Sequence, residues 1–170
     1  MIVYNTEVDC RSSPGKEKDL SNMKRVFVKE KVCMGCHLCE VYCQQQHSKS
    51  KDIIKAFKTE SPRPMPRVRM EEKGAVSFSV RCQHCADAPC VQSCLTGALT
   101  QDPVTGVVKV DTEKCIGCWT CILVCPFGAI RQDEERGKMV KCDLCKGRDT
   151  PACVENCPNQ ALIYAEDPRR

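Results

Sequence analysis

The sequence predicts an α+β fold in which short strands and short helices wrap around groups of cysteine, organised as two small units. Three observations carry that reading. Cysteine accounts for 17 of the 170 residues, while Phe, Tyr and Trp number only 4, 3 and 1. The large side chains of an ordinary core are therefore scarce, and linking groups have to take their place. Sixteen of the cysteines fall into four quartets, each beginning C-x2-C and ending C-x3-C. Strand-like runs joined by turns recur after the quartets, so the chain is an internal repeat.

In chain order, residues 1–22 (MIVYNTEVDCRSSPGKEKDLSN) are polar, contain Pro14 and Gly15 and show no period. That predicts a disordered N-terminal prefix, with Cys10 outside every quartet. KRVFVK at 24–29 reads as a strand. The first quartet, CMGCHLCEVYC, supplies Cys33, Cys36, Cys39 and Cys43. Residues 44–81 then separate it from the second. The insertion proper, 44–75, is polar and part-helical before it runs extended through SPRPMPRVRM, where Pro62, Pro64 and Pro66 remove ladder donors. GAVSFSV alternates like a strand leading into the second quartet, CQHCADAPCVQSC, with Cys82, Cys85, Cys90 and Cys94.

GALTQDPVTGVVKVD reads as a β-hairpin with a Pro/Gly turn. The third quartet, CIGCWTCILVC, supplies Cys115, Cys118, Cys121 and Cys125, and a second hairpin follows in GAIRQDEERGKMVKC. The fourth, CDLCKGRDTPACVENC, supplies Cys142, Cys145, Cys153 and Cys157. QALIYA at 160–165 is a last strand that can pair with KRVFVK and join the chain ends. The three residues before each final cysteine, EVY, VQS, ILV and VEN, are expected to start a short helix.

No run of 18 apolar residues occurs, so no membrane span is expected, and the prefix lacks the apolar stretch of a secretory signal. The expected compartment is the cytoplasm, where thiols stay reduced and a disulfide framework is disfavoured. Dense cysteine there serves metal. The formal charge of +4 looks basic, but thiolates on metal clusters would invert it, so no nucleic-acid partner is expected.

The spacing separates the metals. Only the gap from second to third cysteine varies, with two, four, two and seven intervening residues. A C-x2-C-x2-C loop directs three thiolates at neighbouring corners of a cube, while the cysteine three residues on aims elsewhere. In two-cluster bacterial ferredoxins a C-x2-C-x2-C-x3-C-P run gives that last cysteine to the other [4Fe–4S] cluster. Four quartets therefore make two pairs, a fold of two ferredoxin-like two-cluster units. Zinc is the principal alternative, which would make the chain a zinc-binding interaction adaptor. Structural zinc uses separated C-x2-C pairs or mixes Cys with His, and two runs of four cysteines within eleven residues fit it poorly.

The four quartets in this order, with CVENCPNQAL closing the last, resemble the four-cluster ferredoxin subunits of the dimethyl-sulfoxide-reductase iron–sulfur family. Within it, KVCMGCH, SPRPMPRVRM, RCQHCADAPCVQSCLTGAL and CIGCWTCILVCPFGAI are similar to the small iron–sulfur proteins that serve carbon monoxide dehydrogenase. The resemblance spans about residues 24–165. It implies four [4Fe–4S] clusters and crossed ligation, the first quartet exchanging its last cysteine with the fourth and the second with the third. The implied sets are Cys33, Cys36, Cys39 and Cys157; Cys142, Cys145, Cys153 and Cys43; Cys82, Cys85, Cys90 and Cys125; and Cys115, Cys118, Cys121 and Cys94. A polyferredoxin domain at 23–170 follows, with unit one from 23–43 plus 138–170 and unit two from 76–137. Gln44 and Leu95 stand where the family has a proline after the quartet, which removes no ligand.

The implied role is anaerobic electron transport between a catalytic oxidoreductase subunit, carbon monoxide dehydrogenase first of all, and a downstream acceptor protein. A tungsten or molybdenum aldehyde or formate oxidoreductase, or a hydrogenase, is the alternative partner. No catalytic residue is expected. The chain has no G-x-G-x-x-G, no P-loop and no metal motif with an open position. Of the other residues near the quartets, Trp119 is expected to pack in the core, His37 and His84 to be solvated spacers, and Arg63, Arg67 and Arg69 to form a solvated basic face able to meet an acidic partner.

Overall fold

The computed structural model describes residues 23–166. The expected disordered prefix, 1–22, lies outside them. The described residues form eight short strands in four separate antiparallel pairs: β1 (Lys24–Val28) with β8 (Leu162–Glu166), β2 (Val68–Lys73) with β3 (Val76–Arg81), β4 (Leu99–Gln101) with β5 (Val108–Val110), and β6 (Arg131–Asp133) with β7 (Lys138–Val140). Five helices accompany them: α1 (Leu38–Gln46), α2 (Ile53–Lys58), α3 (Pro89–Gln92), α4 (Thr120–Leu123) and α5 (Ala152–Glu155). None is long and apolar enough to cross a membrane.

The first and last strands pair as the sequence suggests, with Val26 opposite Tyr164 and Val28 opposite Leu162. Two hairpins follow the second and third quartets and turn in related ways. Asp102 accepts N–H bonds from Val104 and Thr105 at 3.0 and 2.9 Å, and Asp133 accepts one from Arg136 at 3.2 Å. Each carboxylate thus closes its turn on the backbone, as Asp does in turns generally. The β2–β3 ladder is a finding beyond the sequence reading. It begins at Val68, past the last proline, where backbone donors return. The expected boundary between insertion and second unit falls in its turn, at residues 74–75.

Two groups of buried side chains make the core, and cysteines belong to both. The first joins Val26, Val68, Met70, Leu144 and Leu162 with Cys39, Cys43 and Cys153. The second joins Ala88, Leu99, Val108, Ile130 and Met139 with Cys85, Cys90 and Cys121. Each fully buried Val, Leu, Ile or Met contributes roughly 1.5–3 kcal/mol, and so few are present that the cysteines take a full share of the packing.

The insertion is tied down by polar contacts. Asp52 caps α2 by accepting Lys55 N–H at 2.8 Å. Arg131 donates to the Pro66 carbonyl at 3.2 Å and Arg136 to the Pro62 carbonyl at 3.0 Å, while Asp133 holds Arg136 at 2.6 Å. The proline segment thereby lies on the β6–β7 hairpin. Replacing Arg136 by Ala should release residues 61–67 and, because Asp133 is buried and loses its cation, should also cost about 1–3 kcal/mol of stability. Hydrogen–deuterium exchange should show its largest increase at the non-proline amides of that segment; unchanged rates there would show that the tether does not order it.

Candidate metal centres

One backbone device recurs in all four quartets. The residue before the second cysteine is left-handed: Gly35 at φ +66°, His84 at +47°, Gly117 at +70° and Leu144 at +56°. This folds the C-x2-C loop inward. His84 N–H then points at Cys82 Sγ (3.4 Å) and Leu144 N–H at Cys142 Sγ (3.4 Å). At Gly117 the conformation is joined by crowding, because a Cβ there would lie 2.5 Å from the Gly137 carbonyl oxygen.

The third cysteine of every quartet, Cys39, Cys90, Cys121 or Cys153, is the second residue of a helix: α1, α3, α4 or α5. This corrects the expected helix positions: each helix starts two residues before the EVY, VQS, ILV or VEN step where the sequence reading placed it. Cys43 sits within α1, but Cys94, Cys125 and Cys157 lie two residues beyond the ends of α3, α4 and α5. The turn after the short helix, rather than the helix itself, carries those three away from their own loops.

Grouping in space follows neither quartet alone. One cavity is lined by Cys33, Cys36, Cys39 and Cys157. Another is lined by Cys94, Cys115, Cys118 and Cys121. The Cys43 thiol has Cys142, Cys153 and Cys145 as electrostatic neighbours, and Cys90 has Cys82 and Cys125. Each quartet's last cysteine is thus found among cysteines of another quartet. Electrostatic influence links the groups in one line: Cys39 acts on Cys153, Cys82 on Cys142, and Cys90 on Cys121. Cys36 and Cys118, in the two outer groups, are exposed.

Burial pushes the thiols of Cys39 and Cys153 up to about 12 and those of Cys90, Cys121 and Cys142 up to about 11. Without metal they stay protonated at neutral pH, so loading must expel the protons. Donors already aim at several sulfurs: Arg67 N–H at Cys43 Sγ (3.2 Å), Ala129 N–H at Cys125 Sγ (3.4 Å) and the Thr120 hydroxyl at Cys118 Sγ (3.6 Å). Such bonds stabilise thiolate and tune a bound cluster. Among the described residues no three Cys, His, Asp or Glu groups converge tightly enough for a single metal ion. A cubane spreads its four thiolates over separate corners, and sixteen soft donors in this spacing fit four [4Fe–4S] clusters.

Of the other residues singled out in the sequence, some depart from expectation and Trp119 meets it. His84 is buried rather than solvated, with its Nδ1 accepting the Val108 N–H at 3.0 Å. Burial, reinforced by Lys141 and other nearby cations, pulls its pKa down to about 3, so the ring is neutral. His37 is half exposed and engages Glu40 at 2.7 Å. Trp119 packs against the second core. The three arginines are not one solvated face: Arg67 pairs with Asp143 at 2.5 Å, Arg69 with Glu71 at 2.5 Å, and Arg63 lies over the Phe57 ring. His47, which the sequence reading passed over, bridges the Cys43 carbonyl (2.7 Å) and Asp143 (3.1 Å). The available signal was its position one helical turn after Cys43.

A family model described as a 4Fe-4S dicluster domain matches residues 74–167. An iron-sulfur protein of Rhodospirillum rubrum is 36% identical over 153 residues, covering 81% of this chain and 79% of its own. The electron transport protein HydN of Escherichia coli (strain K12) is 36% identical over 153 residues, covering 79% and 83%. The putative oxidoreductase AegA of the same strain is 35% identical over 150 residues, but the chain spans only 22% of its length.

The crowding at Gly117 gives a test of loop geometry. Gly117→Ala meets both a left-handed φ and the Gly137 carbonyl, whereas Gly74→Ala meets the same φ (+61°) in open space. The second change should cost only about 1–2 kcal/mol, and the first clearly more, with loss of iron from the third loop. Thermal unfolding and iron assays on the two variants check this; equal behaviour would show the close approach to be without consequence.

Proposed function

The chain belongs to the 4Fe-4S dicluster domain family, and from that premise we propose that it is an electron-transfer subunit carrying single electrons between a catalytic oxidoreductase subunit and a downstream acceptor. The observation that carries this reading is the line of four cysteine groups, each linked electrostatically to the next, with an exposed cysteine in each outer group. The proposed ligand sets are Cys33, Cys36, Cys39 and Cys157; Cys142, Cys145, Cys153 and Cys43; Cys82, Cys85, Cys90 and Cys125; and Cys115, Cys118, Cys121 and Cys94. When bound, [4Fe–4S] clusters exchange one electron at a time. The residues do the rest. Buried Cys39, Cys43, Cys90 and Cys153 keep the interior of the line dry, and N–H donors at the sulfurs stabilise added negative charge. Four thiolates per cubane leave no position for substrate, so the chain is not itself catalytic.

Carbon monoxide dehydrogenase is the catalytic partner we propose, on the strength of the quartet-flanking segments KVCMGCH, SPRPMPRVRM and CIGCWTCILVCPFGAI. The exposed Met34 and Ile116, beside Cys36 and Cys118, provide apolar footing for a partner at either end of the line.

Anaerobically prepared protein should contain about sixteen iron and sixteen inorganic sulfide per chain; a content near eight would overturn the four-cluster reading. Potentiometric EPR should find that Cys125→Ser perturbs the cluster of the second quartet and Cys121→Ser that of the third. Loss of the same signal in both would exclude crossed ligation. Carbon monoxide with catalytic amounts of its dehydrogenase should bleach the visible absorption of the oxidised protein. No bleaching, with bleaching by another oxidoreductase that co-purifies from the host, would transfer the role to that enzyme.

A further inference from the structure

The two cores meet at a buried positive junction. Arg81, His84 and Lys141 are 2%, 1% and 3% exposed. Arg81 ends β3 and immediately precedes Cys82, and Lys141 follows β7 and immediately precedes Cys142. These are the two places where the chain passes from one core to the other: Met70 packs in the first core and Cys85 in the second, then Met139 in the second and Leu144 in the first.

Neither cation has a carboxylate partner among the described residues. Arg81 donates to the Ser79 carbonyl (3.2 Å), the Ser79 hydroxyl (2.8 Å) and the Val26 carbonyl in β1. Lys141 donates to the Val108 carbonyl (2.6 Å) and the Cys142 carbonyl (2.8 Å). Val108 also joins Lys141 to His84, since its N–H is the one that His84 Nδ1 accepts. That bond leaves the imidazole hydrogen on Nε2, which is buried and has no partner. The nearby carboxylate, Asp143, is already held by His47 and Arg67.

Two buried ions balanced only by neutral oxygens are too costly to leave uncompensated. The groups close enough to compensate are cysteines. Arg81 acts on Cys153, Cys142 and Cys39, and Lys141 acts on Cys90 and Cys142. As thiols these carry no charge; as ligands of a cluster they do. The two cations therefore act chiefly on the inner ligand sets, with Arg81 reaching Cys39 of one outer set as well.

We propose that Arg81, Lys141 and His84 form an electropositive junction that holds the transferred electron on the two inner clusters, keeping their potentials above those of the outer two. This rests on the cluster reading given above. One electron enters from the catalytic partner at one end, adds one negative charge to an inner site, and leaves to the acceptor at the other end. No bond breaks in that transfer. The outer sets feel the junction less: Arg81 acts on Cys39 only after Cys153 and Cys142, and among the described residues neither buried cation acts on Cys94, Cys115, Cys118 or Cys121.

The experiment uses the full chain, loaded anaerobically, in five variants. Arg81→Gln and Lys141→Gln remove charge, Arg81→Lys and Lys141→Arg keep it, and His84→Phe removes the donor. Iron and sulfide are assayed first, and redox potentials follow by EPR titration. Expected are negative shifts of the two inner clusters in Arg81→Gln and Lys141→Gln, a smaller one in His84→Phe, and near-unmodified values in the charge-keeping pair. If the Gln variants lose iron while Arg81→Lys and Lys141→Arg retain it, charge is still what the inner sites need, and the proposal stands. Unshifted inner clusters in the Gln variants, equal shifts in the outer clusters, or iron loss in charge-keeping and charge-removing variants alike would overturn it. Iron missing from the unmodified chain would instead remove the cluster reading, a separate outcome visible before any variant is made.

Discussion

Everything in this fold depends on bringing sixteen thiols to four places with a backbone that has almost nothing else to pack. The left-handed residue before the second cysteine is the local solution, used at Gly35, His84, Gly117 and Leu144. It curls each loop, turning an amide hydrogen onto sulfur at His84 and Leu144, and it delivers the third cysteine to the first turn of a helix. Once that is done, two-residue steps past three of the four helices turn the last cysteine toward a different quartet. The strands are short because they only have to carry the chain from one loop to the next, and among the described residues no sheet grows beyond two of them.

That arrangement makes the cysteines both core and site. Cys39, Cys43 and Cys153 lie among Val26, Val68 and Leu162, and Cys85, Cys90 and Cys121 among Leu99, Val108 and Ile130. Stability and function are then coupled closely, because a ligand removed is also a packed side chain removed. The high thiol pKa values say the same thing electrostatically. Burial that suits a metal-bound thiolate is hostile to a bare one, so the loaded and unloaded chains cannot be equally comfortable in this shape.

Much of this was readable from residue order, for a physical reason: the informative features are local. C-x2-C loops, Asp- and Gly-bearing turns at 102–106 and 133–137, and the alternation in KRVFVK and QALIYA all act over a few residues. What was hidden arises between distant segments. His84 looked like a spacer because nothing beside it in the chain shows that Val108 will cover it. Nothing local distinguishes Arg81 and Lys141, since their burial depends on two cores meeting. His47 sat in the polar run QQQHSKSK, where its link to Asp143 could not be seen. The β2 strand was masked by the prolines that precede it.

The pairing of β1 with β8 places Cys33, Cys36 and Cys39 beside Cys157, and this imposes an order on biosynthesis. A ribosome emits the chain from its start, so the group containing Cys94, Cys115, Cys118 and Cys121 is complete while the fourth quartet is still inside the exit tunnel. The three thiols of the first loop must wait for Cys157 to emerge. Until then they are an open, incomplete triad, the form most exposed to stray metals and oxidants. The first quartet is thus completed only after the second and third, and any assembly factor that protects it has to act on a chain whose later quartets have already begun to fold.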